Sequence, residues 1–157
     1  TPADEDRARG MIAKVDRAAA IADLSAVVDW LRARPDANGR VGAVGFCWGG
    51  GMANALAVAV PSLDAAVSFY GVAPPSADVA RIRARLLLHY AGNDPRINAG
   101  IEGYEAALKA AGVAYTAHVY EGTEHAFHSD TAGARYNEAA AKLAWTRTIA
   151  FLHSVLG

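Results

Sequence analysis

The stretch Val41-Gly42-Ala43-Val44-Gly45-Phe46-Cys47-Trp48-Gly49-Gly50-Gly51 constrains the fold more than any other part of the chain. A short apolar run enters Gly-x-Cys-x-Gly, and an alanine-rich helical pattern leaves it. A strand that turns straight into a helix around a nucleophilic side chain needs small neighbours, because the turn is tight and its backbone strained. Gly45 and Gly49, two residues either side of Cys47, carry no Cβ and meet that need. The turn also sets Cys47 at the start of a helix, where free N–H groups and the helix dipole favour a thiolate. Cys47 is the one cysteine in the chain, so neither an internal disulfide nor a Cys-x-x-Cys redox pair can form. A lone thiol suits a reducing compartment, which makes the cytoplasm the expected location.

The remainder of the chain alternates helical and strand patterns. Thr1-Pro2-Ala3-Asp4 has the hydroxyl, proline and acid of a helix opening, and from about Ile12 to Arg34 the pattern stays helical. Ile21, Leu24, Val28 and Leu31 draw its apolar stripe, and Pro35 and Gly39 stop it. Val41 to Phe46 is the strand before the cysteine, and about Gly49 to Val60 the helix after it. Ala65 to Tyr70 is expected as a second strand, Asp78 to Ala84 as a short helix, and Arg85 to Tyr90 as a third strand covered on both faces. Gly92-Asn93-Asp94-Pro95 reads as a loop. Asn98 is expected to cap a helix carrying Ile101, Tyr104, Leu108 and Ala111 inward. Tyr115 to Tyr120 is the fourth strand, followed by a polar loop to Arg135. The last helix is expected to turn Trp145, Ile149, Leu152 and Leu156 inward. This order predicts an α/β fold, a mostly parallel sheet with helices on both faces. In such sheets chemistry gathers beyond the carboxyl ends of the strands.

A net charge of −1 leaves no basic footprint for nucleic acid and no polybasic membrane surface. The chain is 53% hydrophobic yet has no apolar run of ~18 residues, so no spanning helix is expected. The acceptors that a thiol nucleophile requires fall in the right places. A histidine must take the proton and a carboxylate must fix the histidine's tautomer. Asp94 follows the third strand, and His125 follows the fourth within Gly122-Thr123-Glu124-His125-Ala126-Phe127. The order nucleophile, acid, histidine is that of α/β-hydrolases. The N–H of Trp48 is expected to face a developing oxyanion. His125 and His128 form a His-x-x-His pair, but no third ligand stands at a recognisable spacing, so no metal is expected. His89 and His118 fall in strand patterns and are expected to pack.

These motifs resemble the dienelactone hydrolase family, the carboxymethylenebutenolidase-like α/β-hydrolases. The likeness rests on Gly45-Phe46-Cys47-Trp48-Gly49-Gly50, Tyr70-Gly71, Gly92-Asn93-Asp94, His125-Ala126-Phe127-His128-Ser129-Asp130 and Arg135-Tyr136-Asn137. It implies hydrolysis of small carboxylic esters or lactones through an acyl-enzyme, with Cys47 as nucleophile, His125 as base and then acid, and Asp94 as orienting carboxylate. It further implies that Trp48 supplies an oxyanion N–H, that Tyr70 and Phe127 approach the substrate, and that no cofactor is needed. Two departures stand out. The family has further strands and a helix before the nucleophile strand, which bring a second oxyanion N–H and an arginine for a substrate carboxylate. A second such arginine, expected shortly after the histidine, is replaced near that place by Ser129.

The chain is therefore expected to be one such domain lacking its N-terminal strands. Val41 to Phe46 would then form an unpaired apolar edge, open to self-association or to completion by an N-terminal segment. The alternative reading is a non-catalytic fragment or subunit that needs that segment for substrate binding. A third is a peroxide-sensing thiol.

Overall fold

The computed structural model describes residues 4–157. Its elements are α1 (Glu5–Ile12), α2 (Arg17–Arg32), β1 (Gly42–Phe46), α3 (Trp48–Ala59), β2 (Ala65–Phe69), β3 (Arg85–Asn93), α4 (Pro95–Asn98), α5 (Ile101–Ala110), β4 (Tyr115–Glu124) and α6 (Glu138–Leu156), with 3₁₀ turns at Ser76–Arg81 and Gly133–Arg135. The four strands pair in parallel in the order β1-β2-β3-β4. The expected α/β architecture is borne out.

Period-two alternation divides the core into two layers. Ala66, Leu86, Leu88 and Tyr90 face Val28 of α2, Leu56 and Ala57 of α3, and Tyr104 and Leu108 of α5. Val67, Phe69, Leu87 and Ala91 face Ala144 of α6, with Phe151 and Leu152 packed against them. Each layer buries apolar surface worth ~25 cal/mol per Å².

Several boundaries differ from expectation. The Thr1 cap lies outside the described residues; at α1 the Arg7 N–H donates to Asp4 Oδ1 at 3.0 Å. The helical stretch from Ile12 is broken, because Asp16 caps α2 by accepting from the Ala18 and Ala19 N–H groups at 2.9 and 3.1 Å. Within α2, Val28 is buried and Leu24 exposed, so the stripe is narrower than its spacing suggests. Residues 78–84 form no α-helix beyond the 3₁₀ turn. Asn98 caps nothing. Asp94 caps α4, Gly100 precedes α5, and the Asn98 amide donates to the Ala91 and Gly92 carbonyls at 2.8 and 3.1 Å.

β3 and β4 outrun their expected ends. After a register shift between Ala91 and Asn93 the ladder resumes at Asn93↔Glu124, which leaves Asp94 and His125 side by side just past it. A Cβ on Gly92 would lie 3.0 Å from the Glu121 Cα, so glycine is what lets the two strands stay close there. Cross-strand pairing outweighs the local turn preference of Gly-Asn.

α6 is rotated from its expected setting. Trp145 and Ile149 are 42% and 40% exposed, while Ala141, Ala144 and Thr148 are buried against the sheet. Alanines let the helix approach closely, and Thr148 meets a buried polar partner. His89 Nε2 lies 3.1 Å from Thr148 Oγ1, and His89 Nδ1 2.9 Å from the Tyr120 hydroxyl. Thr148 gives its own proton to the Ala144 carbonyl at 2.9 Å, so Nε2 carries the hydrogen and Tyr120 donates to Nδ1. Arg147 Nη1 donates to the Tyr120 oxygen at 3.2 Å. Burial pushes the His89 pKa down to about 3, so the ring is neutral.

Candidate active site

Cys47 sits at the corner between β1 and α3 with φ 54° and ψ −117°, outside the regions an L-residue favours. Its N–H donates to the Phe69 carbonyl at 3.0 Å, and its own carbonyl receives the Gly51 N–H at 3.2 Å. A Cβ on Gly45 would stand 1.9 Å from the Gly49 carbonyl oxygen, so the strand side of the corner admits only glycine. The matching expectation for Gly49 is corrected. Nothing lies within 4 Å of its notional Cβ. The tight approach is made instead where Gly71 meets α3, its notional Cβ 2.3 Å from the Gly50 carbonyl carbon.

Two polar side chains that the sequence did not single out hold that contact. The buried Ser68 hydroxyl donates to the Gly50 carbonyl at 3.0 Å, and Asn54 Nδ2 donates to the Val72 carbonyl at 3.0 Å. Their only signal was a polar residue at an otherwise apolar position of a strand and of a helix.

Three chain segments meet at the rim. His125 Nε2 lies 3.2 Å from Cys47 Sγ, and His125 Nδ1–H donates to Asp94 Oδ2 at 2.5 Å. The carboxylate accepts only, so the hydrogen belongs on Nδ1 and Nε2 is free to take the thiol proton. The other oxygen of Asp94 accepts the Ile97 N–H at 3.3 Å, which fixes the carboxylate against α4. His125 is half-buried, and the next residue, Ala126, has φ 71°. Non-glycine residues with positive φ among the described residues are Cys47, Tyr70 and Ala126, all at this rim. Such strain gathers where a structure must hold a side chain in one direction.

The hydrogen bond to His125 lowers the Cys47 pKa despite opposing burial; the imidazolium charge, the Trp48 N–H and the Arg96 charge lower it further. The same bond with Cys47 raises the His125 pKa, with Asp94 helping and burial opposing. Each shift stabilises the charged form of its own group, negative on the sulfur and positive on the imidazole.

Cys47, Asp94, His125 and Trp48 are brought together as the sequence suggested. Tyr70 lines a cavity beside Cys47, and its ring centroid is 4.9 Å from that of His125. Phe127 is a correction. It is 0% exposed, packs on Tyr70 and Tyr120, and backs the site instead of lining it. Arg17 and Arg96 line the same cavity and were missed; Arg96 follows Asp94-Pro95 directly, a position where only the fold reveals what the side chain faces. The His128 ring packs at tilted or edge-on angles among Phe46, Phe69 and Trp145. No group of three or more metal-ligating side chains occurs among the described residues.

A thiol after one parallel strand, a carboxylate two strands on and a histidine after the next follow the layout of a protein of the α/β-hydrolase type. The comparisons with known proteins agree. The dienelactone hydrolase family model matches residues 1–156. A candidate carboxymethylenebutenolidase of Saccharolobus solfataricus is 39% identical over 117 residues, 74% of this chain and 45% of its own length. The carboxymethylenebutenolidase of Pseudomonas putida is 33% identical over 139 residues, 87% of this chain and 58% of its own. The crystal structure of a candidate dienelactone hydrolase from Klebsiella pneumoniae superposes with a TM-score of 0.79 at 32% identity, covering 88% of this chain and 62% of that one. The chain belongs to the dienelactone hydrolase family. It spans about half the length of the curated relatives it matches.

Proposed function

We propose that this chain carries the nucleophile, base and acid of a hydrolase acting on small carboxylic esters or lactones. One observation carries the reading: residues 78 and 31 positions apart in sequence converge as thiol, imidazole and carboxylate, with Sγ–Nε2 3.2 Å and Nδ1–Oδ2 2.5 Å. His125 Nε2 takes the Cys47 proton, and the thiolate attacks the carbonyl carbon. The carbonyl π-electrons move to oxygen, and that oxyanion faces the Trp48 N–H. On collapse the C–O bond to the alcohol breaks, His125 returns the proton to the departing oxygen, and a thioester remains. Water, deprotonated by His125, then releases the carboxylic acid and restores the thiol. In a lactone the departing oxygen stays tethered to the acyl part. A reducing cytoplasm would keep Cys47 in the form this chemistry uses.

Turnover of a small aryl ester by three proteins tests it. Cys47→Ala should lose about 10⁴-fold or more, and Cys47→Ser should keep at best a trace. Equal rates in all three would end the proposal.

A second reading is favoured by the chain's share of its relatives' length and by the exposed apolar edge of β1. Here the residues form the nucleophile-bearing part of a longer hydrolase and turn over poorly alone. Loss of one oxyanion donor commonly costs about 10²–10³ in rate. Turnover that appears only on co-expression with a segment supplying further strands would favour this second reading, and equal turnover without it the first.

A further inference from the structure

The cavity of about 250 Å³ beside Cys47 adjoins a second of about 620 Å³, and Arg17 stands in the wall of both. Gly51 and Val72 bound the first; Ala55, Val58 and the stretch Ala73-Pro74-Pro75 bound the second. Gly51, Ala55 and Val58 fall on one face of α3, four and seven residues along. Val72 runs straight on into Ala73, and a Cβ on Gly51 would stand 3.5 Å from the Val72 nitrogen, so the two chain segments face each other. The cavities therefore form one trough along α3. At 1.5 Å per residue it extends about 16 Å from Cys47 to Val58.

Several polar groups along the trough are already engaged. Pro74 and Pro75 have no N–H to donate. The Val72 carbonyl accepts from Asn54 Nδ2 at 3.0 Å, and the Pro75 carbonyl from the Asp78 N–H at 2.9 Å. Asp78, the acid in the outer wall, lies 3.9 Å from Arg81 Nη1. Arg17 Nη2 donates to the Gly51 carbonyl at 3.3 Å, which occupies its charged head and leaves the methylene stem as surface. Walls of valine, alanine and proline with these groups satisfied favour an apolar chain, whose binding strengthens with each methylene removed from water. We infer that the trough holds the chain of an acyl group, so that the site selects esters with long, unbranched acyl chains over short ones. The acyl side fits because that group stays tethered to sulfur, at the inner end of the trough, after the alcohol has left. The inference deepens the proposed hydrolase and rests on Cys47 being its nucleophile. Ala55, Ala73 and Pro75 are specificity-determining residues, not participants in bond making.

Alkylation of Cys47 reads the trough without ester turnover. N-methyl and N-octyl iodoacetamide form the same S–C bond, iodide leaving with the bonding electrons, and differ only in the chain then tethered to sulfur. Their rate ratio at one pH cancels the degree of thiol ionisation. In the wild-type chain the octyl reagent should react about tenfold faster than the methyl one. Ala55→Trp, which fills the trough about two turns beyond Cys47, should bring the ratio near one. Pro75→Asp puts a charge in the trough at an exposed position, and aspartate suits the cap of the 3₁₀ turn that Pro75 precedes. It should lower the ratio by about threefold, and it decides the matter if Ala55→Trp does not fold. A wild-type ratio near one, or one that Pro75→Asp leaves unchanged, would overturn the trough. Ethyl octanoate and octyl acetate, two isomers, then assign the side: turnover should favour ethyl octanoate by about tenfold, and an equal or opposite preference would overturn the acyl assignment. A chain-length ratio that falls in the variants of a protein that hydrolyses neither ester would sink the hydrolase proposal and leave the trough standing. Turnover of both esters with a ratio near one would do the reverse.

Discussion

Cys47 and His125 alter each other's protonation, and that coupling has a measurable consequence. The Cys47 thiol ionises below its ordinary value of 9.0, chiefly because His125 hydrogen-bonds its sulfur. His125 is held above 6.5 for the reciprocal reason. The bond therefore favours the thiolate, so alkylation of Cys47 by iodoacetamide should set in at a lower pH than that of a free thiol. In His125→Ala the half-point should climb back towards 9.0. A half-point that is the same with and without the imidazole would refute the coupling. At this scale the sequence was informative wherever residue type and chain order placed a side chain at the rim, as for Cys47, Asp94, His125 and Trp48. It was uninformative where only direction mattered. Phe127 stands two residues from His125, yet the turn at Ala126, φ 71°, sends one ring to the rim and the other into the core. Gly45 and Gly49 look equivalent in Gly-x-Cys-x-Gly, but only Gly45 faces backbone closely enough to exclude a Cβ.

Whole elements were legible from hydrophobic period, and their ends and rotations were not. β3 and β4 lengthen because each supplies the other's hydrogen bonds, a benefit no local pattern encodes. α6 turns its large apolar residues outward because its position is set by alanines and by the bonds linking His89, Thr148 and Tyr120. That link predicts a pH dependence of stability. An unfolded histidine protonates near 6.5, whereas buried His89 stays neutral down to about 3. As pH falls through that window the unfolded state takes up a proton that the folded state refuses, so stability falls with pH. The loss should be on the order of a few kcal/mol by pH 4, since each unit of displacement is worth about 1.4 kcal/mol. His89→Gln should be less stable at pH 7, by about 1–3 kcal/mol for the disturbed bonds. Its stability should nevertheless fall less steeply between about pH 6.5 and pH 4. Urea unfolding of both proteins at several pH values gives the comparison, and parallel curves would contradict the assignment of this histidine.

For the molecule as a whole, what matters is the surface that the four strands leave uncovered. Among the described residues β1 ends the sheet on the Cys47 side, with Val44 and Phe46 39% and 36% exposed. Trp145 and Ile149 of α6 are exposed in the layer on one sheet face, and Leu24, Val27 and Trp30 of α2 in the layer on the other. An edge that offers unpaired backbone groups together with apolar side chains is a template for another strand. The sequence foresaw this edge from the place of the strand before Cys47, but it assigned the outward stripe of α6 to the interior. One partner that such an edge fits is a second copy of the chain. Two β1 strands related by a twofold axis would pair antiparallel and join two sheets into one. We expect the wild-type chain to sediment heavier than a monomer and to dissociate on dilution. Val44→Lys combined with Ile149→Lys should give a monomer with an unchanged circular dichroism spectrum, because both positions are solvent-exposed and lysine on an edge strand opposes pairing. A wild-type chain that stays monomeric across the whole dilution series would mean that the edge is protected by its own twist and shortness. The apolar residues along it would then be tolerated surface and not an interface.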